Sequence, residues 1–272
     1  MRKLIILVMV ALFAFYACNK QSTDNEETEP PAVPPETTLE IDFSNFDTGS
    51  PTTQLLKTTD QQTAQNWFRA ATMVFFWKMM SQVTMAVPTM AFKMAVSTQP
   101  QYEDNGWVWS HDFTAGQRSF NATLKAYKND EQQRWDWEMY ITSEGNFTDF
   151  EWFYGYSSFD GNSGGWTINK SPDEPNPLLD INWEVHSDSA MVIRWTIVDT
   201  TSSQYGSYIE FGTMTDSNYN AYFNLYDSKE DYTVEIQWNT TTKAGRIKDE
   251  VYFQDTNWHC WDENRQDVTC PQ

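Results

Sequence analysis

The residues able to do chemistry are few in kind. Three histidines, His111, His186 and His259, each lie in or beside polar turn sequence, where a surface position is the simpler reading than a general base. Thirty-eight carboxylates could furnish the pair, about 5 to 9 Å apart, that glycoside hydrolysis needs. Most of them fall on the polar alternates of strand patterns, the solvated face. Asp249 differs, standing in phase with Ile247, Val251 and Phe253; an acid facing inward there either serves a ligand or pairs with Arg246 or Lys248. The chain has no GxSxG, HExxH, GxxxxGK[ST] or GxGxxG. DGNSGG (160–165) hints at a calcium loop, but the twelfth position is Ser171 rather than the bidentate glutamate such a loop uses. No catalytic residue, metal or cofactor is assigned.

The three cysteines divide into one and two. WHCWDENRQDVTC sets Cys260 and Cys270 ten positions apart. In an oxidising compartment they are expected to pair, closing a short loop worth roughly 3 kcal/mol in the chain-entropy account. The alternative is a metal site of His259, Cys260 and Cys270, which lacks a fourth ligand and the usual paired spacing.

Cys18 sits where an apolar run stops. MRKLIILVMVALFAFYA (1–17) opens with Arg2 and Lys3 and continues uncharged for about 14 residues, the form of a secretory signal and too short to span a bilayer. Residues 18–40 then hold six acids, Lys20 and the prolines 30, 31, 34 and 35, and read as a disordered acidic tether. Such a tether of some 20 residues would hold the body about 25 Å from its attachment point.

Ala17-Cys18 resembles the looser lipobox of Bacteroidota-type exported lipoproteins, with Phe15-Tyr16 bulkier than the usual preceding pair. The resemblance implies cleavage before Cys18, acylation there, and an outer-membrane location facing the periplasm or the cell surface. The acids from Asp24 onward resemble the surface-export signal of the same class, and Asp188-Ser189-Ala190 resembles its O-glycosylation site, with Ser189 as acceptor.

Charge narrows the partners. The chain has 18 basic and 38 acidic residues, a net of −20. Removing residues 1–17 leaves 16 basic residues and a net of −22. That excludes the basic footprint of a nucleic-acid binder and electrostatic docking on anionic lipid.

The elements that must position any site follow from hydrophobic period. Residues 60–96 form the one long helical candidate, with Met73, Phe76, Trp77, Met80, Thr84 and Val87 at helical spacing, Thr58 or Thr59 as cap, and Pro88 expected to end or kink it, leaving a short continuation to about Val96. Apolar residues off that stripe imply a helix buried nearly all round. Lys78 and Lys93 interrupt any membrane span.

From residue 106 to about 254 the period is two. Trp135, Trp137, Met139 and Ile141, then Leu179, Ile181, Trp183 and Val185, then Met191, Ile193, Trp195 and Ile197 alternate with polar residues. Regular turn signals give ten or eleven antiparallel strands in a meander. The expected fold is mainly β: one domain, 41–272, whose sheet curves into an open or closed barrel around the helix, with 255–272 as a cysteine-bearing tail. This layout resembles the LolA/LolB-like and lipocalin-like β folds in order of elements, not residue by residue.

The leading expectation is a non-enzymatic, membrane-anchored lipoprotein that binds an apolar ligand or lipid inside the curved sheet, with Trp77, Met80, Trp183 and Trp195 as candidate lining. Alternatives are a glycan-binding surface module with Trp152 and Tyr154 as stacking platforms in the series Phe150-Trp152-Tyr154-Tyr156, a hydrolase using a carboxylate pair, and a structural or adhesive protein.

Overall fold

A computed structural model describes residues 29–47, 64–187, 190–215 and 218–271. The tether before residue 29, Cys18, the caps Thr58 and Thr59, and Ser189 lie outside the described residues. Residues 31–272 form one compact unit.

Its frame is one antiparallel sheet of fourteen strands in strict sequence order. The strands are β1 (Gln101–Glu103), β2 (Gly106–Ala115), β3 (Arg118–Asn129), β4 (Arg134–Ser143), β5 (Phe147–Ser157), β6 (Ser163–Asn169) and β7 (Pro177–Ser187). They continue as β8 (Ala190–Ile197), β9 (Tyr208–Thr213), β10 (Ala221–Asp227), β11 (Tyr232–Trp238), β12 (Gly245–Lys248), β13 (His259–Trp261) and β14 (Asp267–Val268). Neighbours in sequence are neighbours in space because the links are short and hydrogen-bonded locally. The first link shows why: Asp104 and Asn105 take φ of 49° and 63°, the left-handed pair that a two-residue hairpin turn demands. β1 and β14 do not pair, so the sheet is open and the closed barrel allowed by the sequence is not formed.

Alternation places Trp109, Trp137, Met139, Ile181, Trp183, Ile193, Trp195, Phe223, Ile236 and Trp238 on one buried face. Large indoles lie flat there because glycines stand opposite them. Gly164 faces Trp183 and Gly245 faces Trp261 in register. A Cβ on Gly164 would overlap the Trp183 ring.

Three pieces cover that face. Helix α1 (Gln65–Val83) packs on β12 and β13, and helix α2 (Ala86–Val96) on β2 and β3. The helical stretch is therefore two helices, broken at Thr84-Met85, one turn ahead of the Pro88 expected to end or kink it. Pro88 has no N–H to donate to Thr84 and crowds that carbonyl, so a continuous helix cannot pass. Restarting at Ala86 puts Pro88 in a first turn, where the missing N–H is not needed.

Between the helices runs the segment 31–47. Thr38 Oγ1 accepts the Trp166 indole N–H at 3.1 Å, Phe43 meets Phe223 at 5.5 Å, and Phe46 meets Trp238 edge-on at 5.1 Å. Leu39 is fully buried. The tether boundary expected at residue 40 is thus corrected to Pro31, because residues 31–40 carry the side chains that seal the middle of the sheet. A second correction concerns α1. It is not buried nearly all round: Phe75, Phe76, Met79 and Val83 are exposed.

The start of α1 is secured from far along the chain. Ala64 precedes it and has no capping side chain. Asp267 of β14 supplies the cap, its carboxylate accepting the N–H groups of Gln65 at 3.1 Å and Asn66 at 3.0 Å. Asn66 Nδ2 donates to the Cys260 carbonyl at 2.8 Å. Cys260 and Cys270 form the disulfide expected from their spacing, with Cα atoms 5.2 Å apart, so neither thiolate is left for a metal.

Candidate functional site

Asp249 is where the sequence pointed to inward acid. Its side chain is fully buried, but the partner is neither Arg246 nor Lys248. Arg69 of α1 donates to Asp249 Oδ2 through Nε and Nη2, both at 2.7 Å, and its guanidinium lies 4.6 Å from the Tyr252 ring centre. Asp249 Oδ1 accepts the Tyr252 N–H at 3.0 Å, starting the short helix α3 (Glu250–Phe253). Both oxygens are engaged, so this acid locks α1 to the sheet and is not a site.

A real hollow lies a little further along α1. Thr72, Met73, Phe76 and Trp77 fall at i, i+1, i+4 and i+5 and make one wall. Leu225, Tyr226 and Asp227 of β10 with Tyr232 and Val234 of β11 make the other, and Gln204 and Ser207 close one end. The hollow is partly open to solvent and its volume is about 330 Å³, at the lower end of the roughly 300–1,000 Å³ typical of small-molecule pockets. Leu225, Val234 and Trp77 are buried, while Phe76 stands at the mouth.

Most polar groups of this cleft are engaged in local hydrogen bonds and turns. Ser207 Oγ donates to Gln204 Oε1 at 2.8 Å and lies 3.0 Å from Ser228 Oγ. Tyr226 donates to Asp231 at 2.9 Å, and Asp227 Oδ1 accepts the N–H groups of Lys229 and Glu230. Burial pushes the Tyr232 hydroxyl above its usual pKa, opposed by the Arg69 charge. What remains is an apolar slot with a hydroxyl and amide end: a place to hold a compact greasy group, without a paired acid and base.

Of the four candidate lining residues only Trp77 belongs to this cleft. Met80 packs against the core outside it. Trp183 and Trp195 face inward as their alternation required, but into close packing. The Trp183 indole stacks on Trp166 at 5.2 Å and donates to the Gly161 carbonyl at 3.2 Å. Segment 31–47 fills the space that a ligand would need there. The unforeseen members, Leu225, Val234 and Tyr232, were visible as inward alternates; which of them border a hollow depends on where α1 crosses.

The aromatic series of β5 is divided by a bulge. Register slips between Met139 and Tyr140, with Phe153 opposite one and Glu151 opposite the other, leaving Trp152 as the extra residue. Trp152 accordingly packs on Phe150 and Phe147, at 5.3 and 5.8 Å. Tyr154 and Tyr156 stay exposed on the other face, where the Arg134 guanidinium lies 4.5 Å over the Tyr156 ring. Trp152 and Tyr154 therefore do not form one stacking platform.

The same outer face carries the nearest approach to a carboxylate pair. The Tyr140 hydroxyl reaches Glu138 Oε2 at 3.1 Å and Glu151 Oε1 at 3.3 Å. Burial, then the two carboxylates, raises the Tyr140 pKa, and burial followed by Glu138 raises that of Glu151. Neither glutamate lines the cleft. A carboxyl that holds its proton more tightly in the fold adds stability at acid pH and loses it as pH rises through the raised pKa. Glu151→Gln is thus expected to raise the thermal midpoint at neutral pH and to give no gain near about pH 4, in melts run at both values. An equal gain at both would show that charge is not the cause.

No family model, no curated protein and no solved structure matches the chain, so fold and site stand on their own geometry.

Proposed function

We propose that the chain is an exported lipoprotein, cleaved before Cys18 and held in the outer membrane by acyl chains there, whose body takes a compact apolar ligand or a lipid acyl group in the cleft between α1 and strands β10 and β11. One observation carries the ligand reading: a hollow of about 330 Å³ walled by the apolar side chains of Met73, Phe76, Trp77, Leu225 and Val234. The apolar run of 1–17 and Ala17-Cys18 support the anchor. On this reading binding is non-enzymatic: the cleft offers burial for a greasy group, and its carboxylate, Asp227, caps a turn through the Lys229 and Glu230 N–H groups. The protein faces the periplasm or the cell surface.

Titration with a fluorescent fatty-acid analogue tests the ligand. Uptake is expected to change Trp77 emission. Thr72→Trp, at an exposed position on the cleft wall, should weaken uptake by about tenfold or more, the worth of roughly one buried apolar side chain, while leaving the melting curve in place. No uptake, or equal uptake by Thr72→Trp, would overturn the ligand reading.

A further inference from the structure

On a chain of net charge −20, the outer side of the two helices stands apart. Phe75, Met79 and Val83 are spaced i, i+4, i+8 and so form one line along α1; they are 40%, 40% and 70% exposed. Phe76 flanks that line at 48%, and Met90 is 39% exposed on α2. Every residue exposed on the two helices is apolar, Thr or Gln. Their three charged residues are all engaged: Arg69 with Asp249 at 2.7 Å, Lys78 with Asp47 at 2.8 Å and Lys93 with Glu40 at 2.8 Å. An uncharged apolar face of this kind marks a contact surface.

We infer that this face docks on the surface of an uncharged or zwitterionic lipid bilayer, an inference that rests on the proposed acylation of Cys18. Two observations choose that occupant. The first is reach. Twelve residues, 19–30, lie between Cys18 and Pro31, where the compact unit begins. They span about 45 Å at full stretch and about 20 Å as a flexible coil, so an anchored body stays within touching distance of the bilayer. A face too small to bind tightly alone is occupied under those conditions, because tethering raises its effective concentration to roughly millimolar. The second is charge. A second copy of the cleaved chain would bring another −22 to the interface, and an anionic membrane would repel the acidic body, whereas a neutral lipid surface asks only for apolar side chains and no basic ones. Docking also brings Phe76, which belongs both to this face and to the cleft mouth, to the level of the acyl chains.

Flotation with phosphatidylcholine vesicles tests the face apart from the anchor. The chain from Cys18 onward, carrying Cys18→Ser, keeps every residue of the buried core, all of which lie within residues 39–261. It is expected to float with phosphatidylcholine vesicles, little affected by salt, and more weakly with phosphatidylglycerol vesicles at low salt. Val83→Asp and Phe75→Asp, neither of which lines the cleft, should each reduce flotation about tenfold or more while leaving fatty-acid uptake unchanged. If the parent chain does not float, or floats equally with these substitutions, lipid docking is wrong. If sedimentation shows a dimer that either substitution dissociates, the face joins two copies and lipid docking is likewise wrong. Failure of the anchor reads out separately, as absence of acyl label on the Cys18 protein.

Discussion

Arg69→Ala is expected to lower stability by about 3–5 kcal/mol in urea unfolding, the cost of stranding a buried charge. The two sides of this ion pair are unequal. The Arg69 side chain keeps 20% of its surface exposed, whereas that of Asp249 has none. Without Arg69 the carboxylate has one backbone N–H and no cation. Without the carboxylate the guanidinium can still turn to water and to the Tyr252 ring. Asp249→Asn should therefore cost less than Arg69→Ala, since asparagine also keeps the cap on α3. Combining Arg69→Met with Asp249→Asn should recover much of the loss, because no charge is then buried. A loss below about 1 kcal/mol for Arg69→Ala would mean that the pair behaves as a surface one.

Cys260→Ser with Cys270→Ser is expected to cost about 2–5 kcal/mol. The effect should be concentrated at a place far off in sequence. The hairpin of β13 and β14 carries Asp267, which caps α1, the Cys260 carbonyl, which holds Asn66, and Arg265, whose guanidinium lies 4.0 Å over Trp67. Freed from its crosslink, that hairpin loses its fixed position under the helix. Hydrogen exchange should quicken at the first turn of α1 well before it quickens in β4 or β7. Asp267→Asn separates the two contributions: it leaves an acceptor in place and should cost only about 0.5–1 kcal/mol. If exchange rose evenly over the whole chain, the crosslink would be acting on the unfolded ensemble alone.

These two features show where sequence reading succeeds and where it stops. Alternation is a local property, so Trp137, Ile181, Trp183 and Trp195 could be assigned to the inner face directly. The cysteine pair was legible because spacing and compartment constrain it. Strand number was legible over residues 106–254, where ten or eleven were expected and β2–β12 are eleven; β1, β13 and β14 fall outside that range and, at two or three residues each, show no period. Closure was not legible at all, since it depends on strand tilt and stagger rather than on which residues face inward.

Segment 31–40 was the larger loss. Pro34, Pro35, Glu36 and Glu40 give it the composition of a linker, yet Thr38 and Leu39 are fully buried against the sheet. A few buried side chains outweigh a polar average when the cavity that receives them is already built by fourteen strands. The same reasoning explains α1. Apolar residues on every side suggested full enclosure, but two of its stripes have different uses, one set into the core and one left facing out. The β5 platform failed for a local reason, one extra residue at Trp152 that an alternation count cannot see.

Native mass spectrometry of the full-length protein released gently from the membranes of cells that make it reads anchor and ligand together. The expected species begins at Cys18, carries the added mass of acyl chains there, and holds a non-covalent apolar adduct that is missing from Thr72→Trp. A chain that still contains residues 1–17 without acylation would contradict the anchor. A consistently bare chain, or an adduct retained by Thr72→Trp, would contradict the cleft.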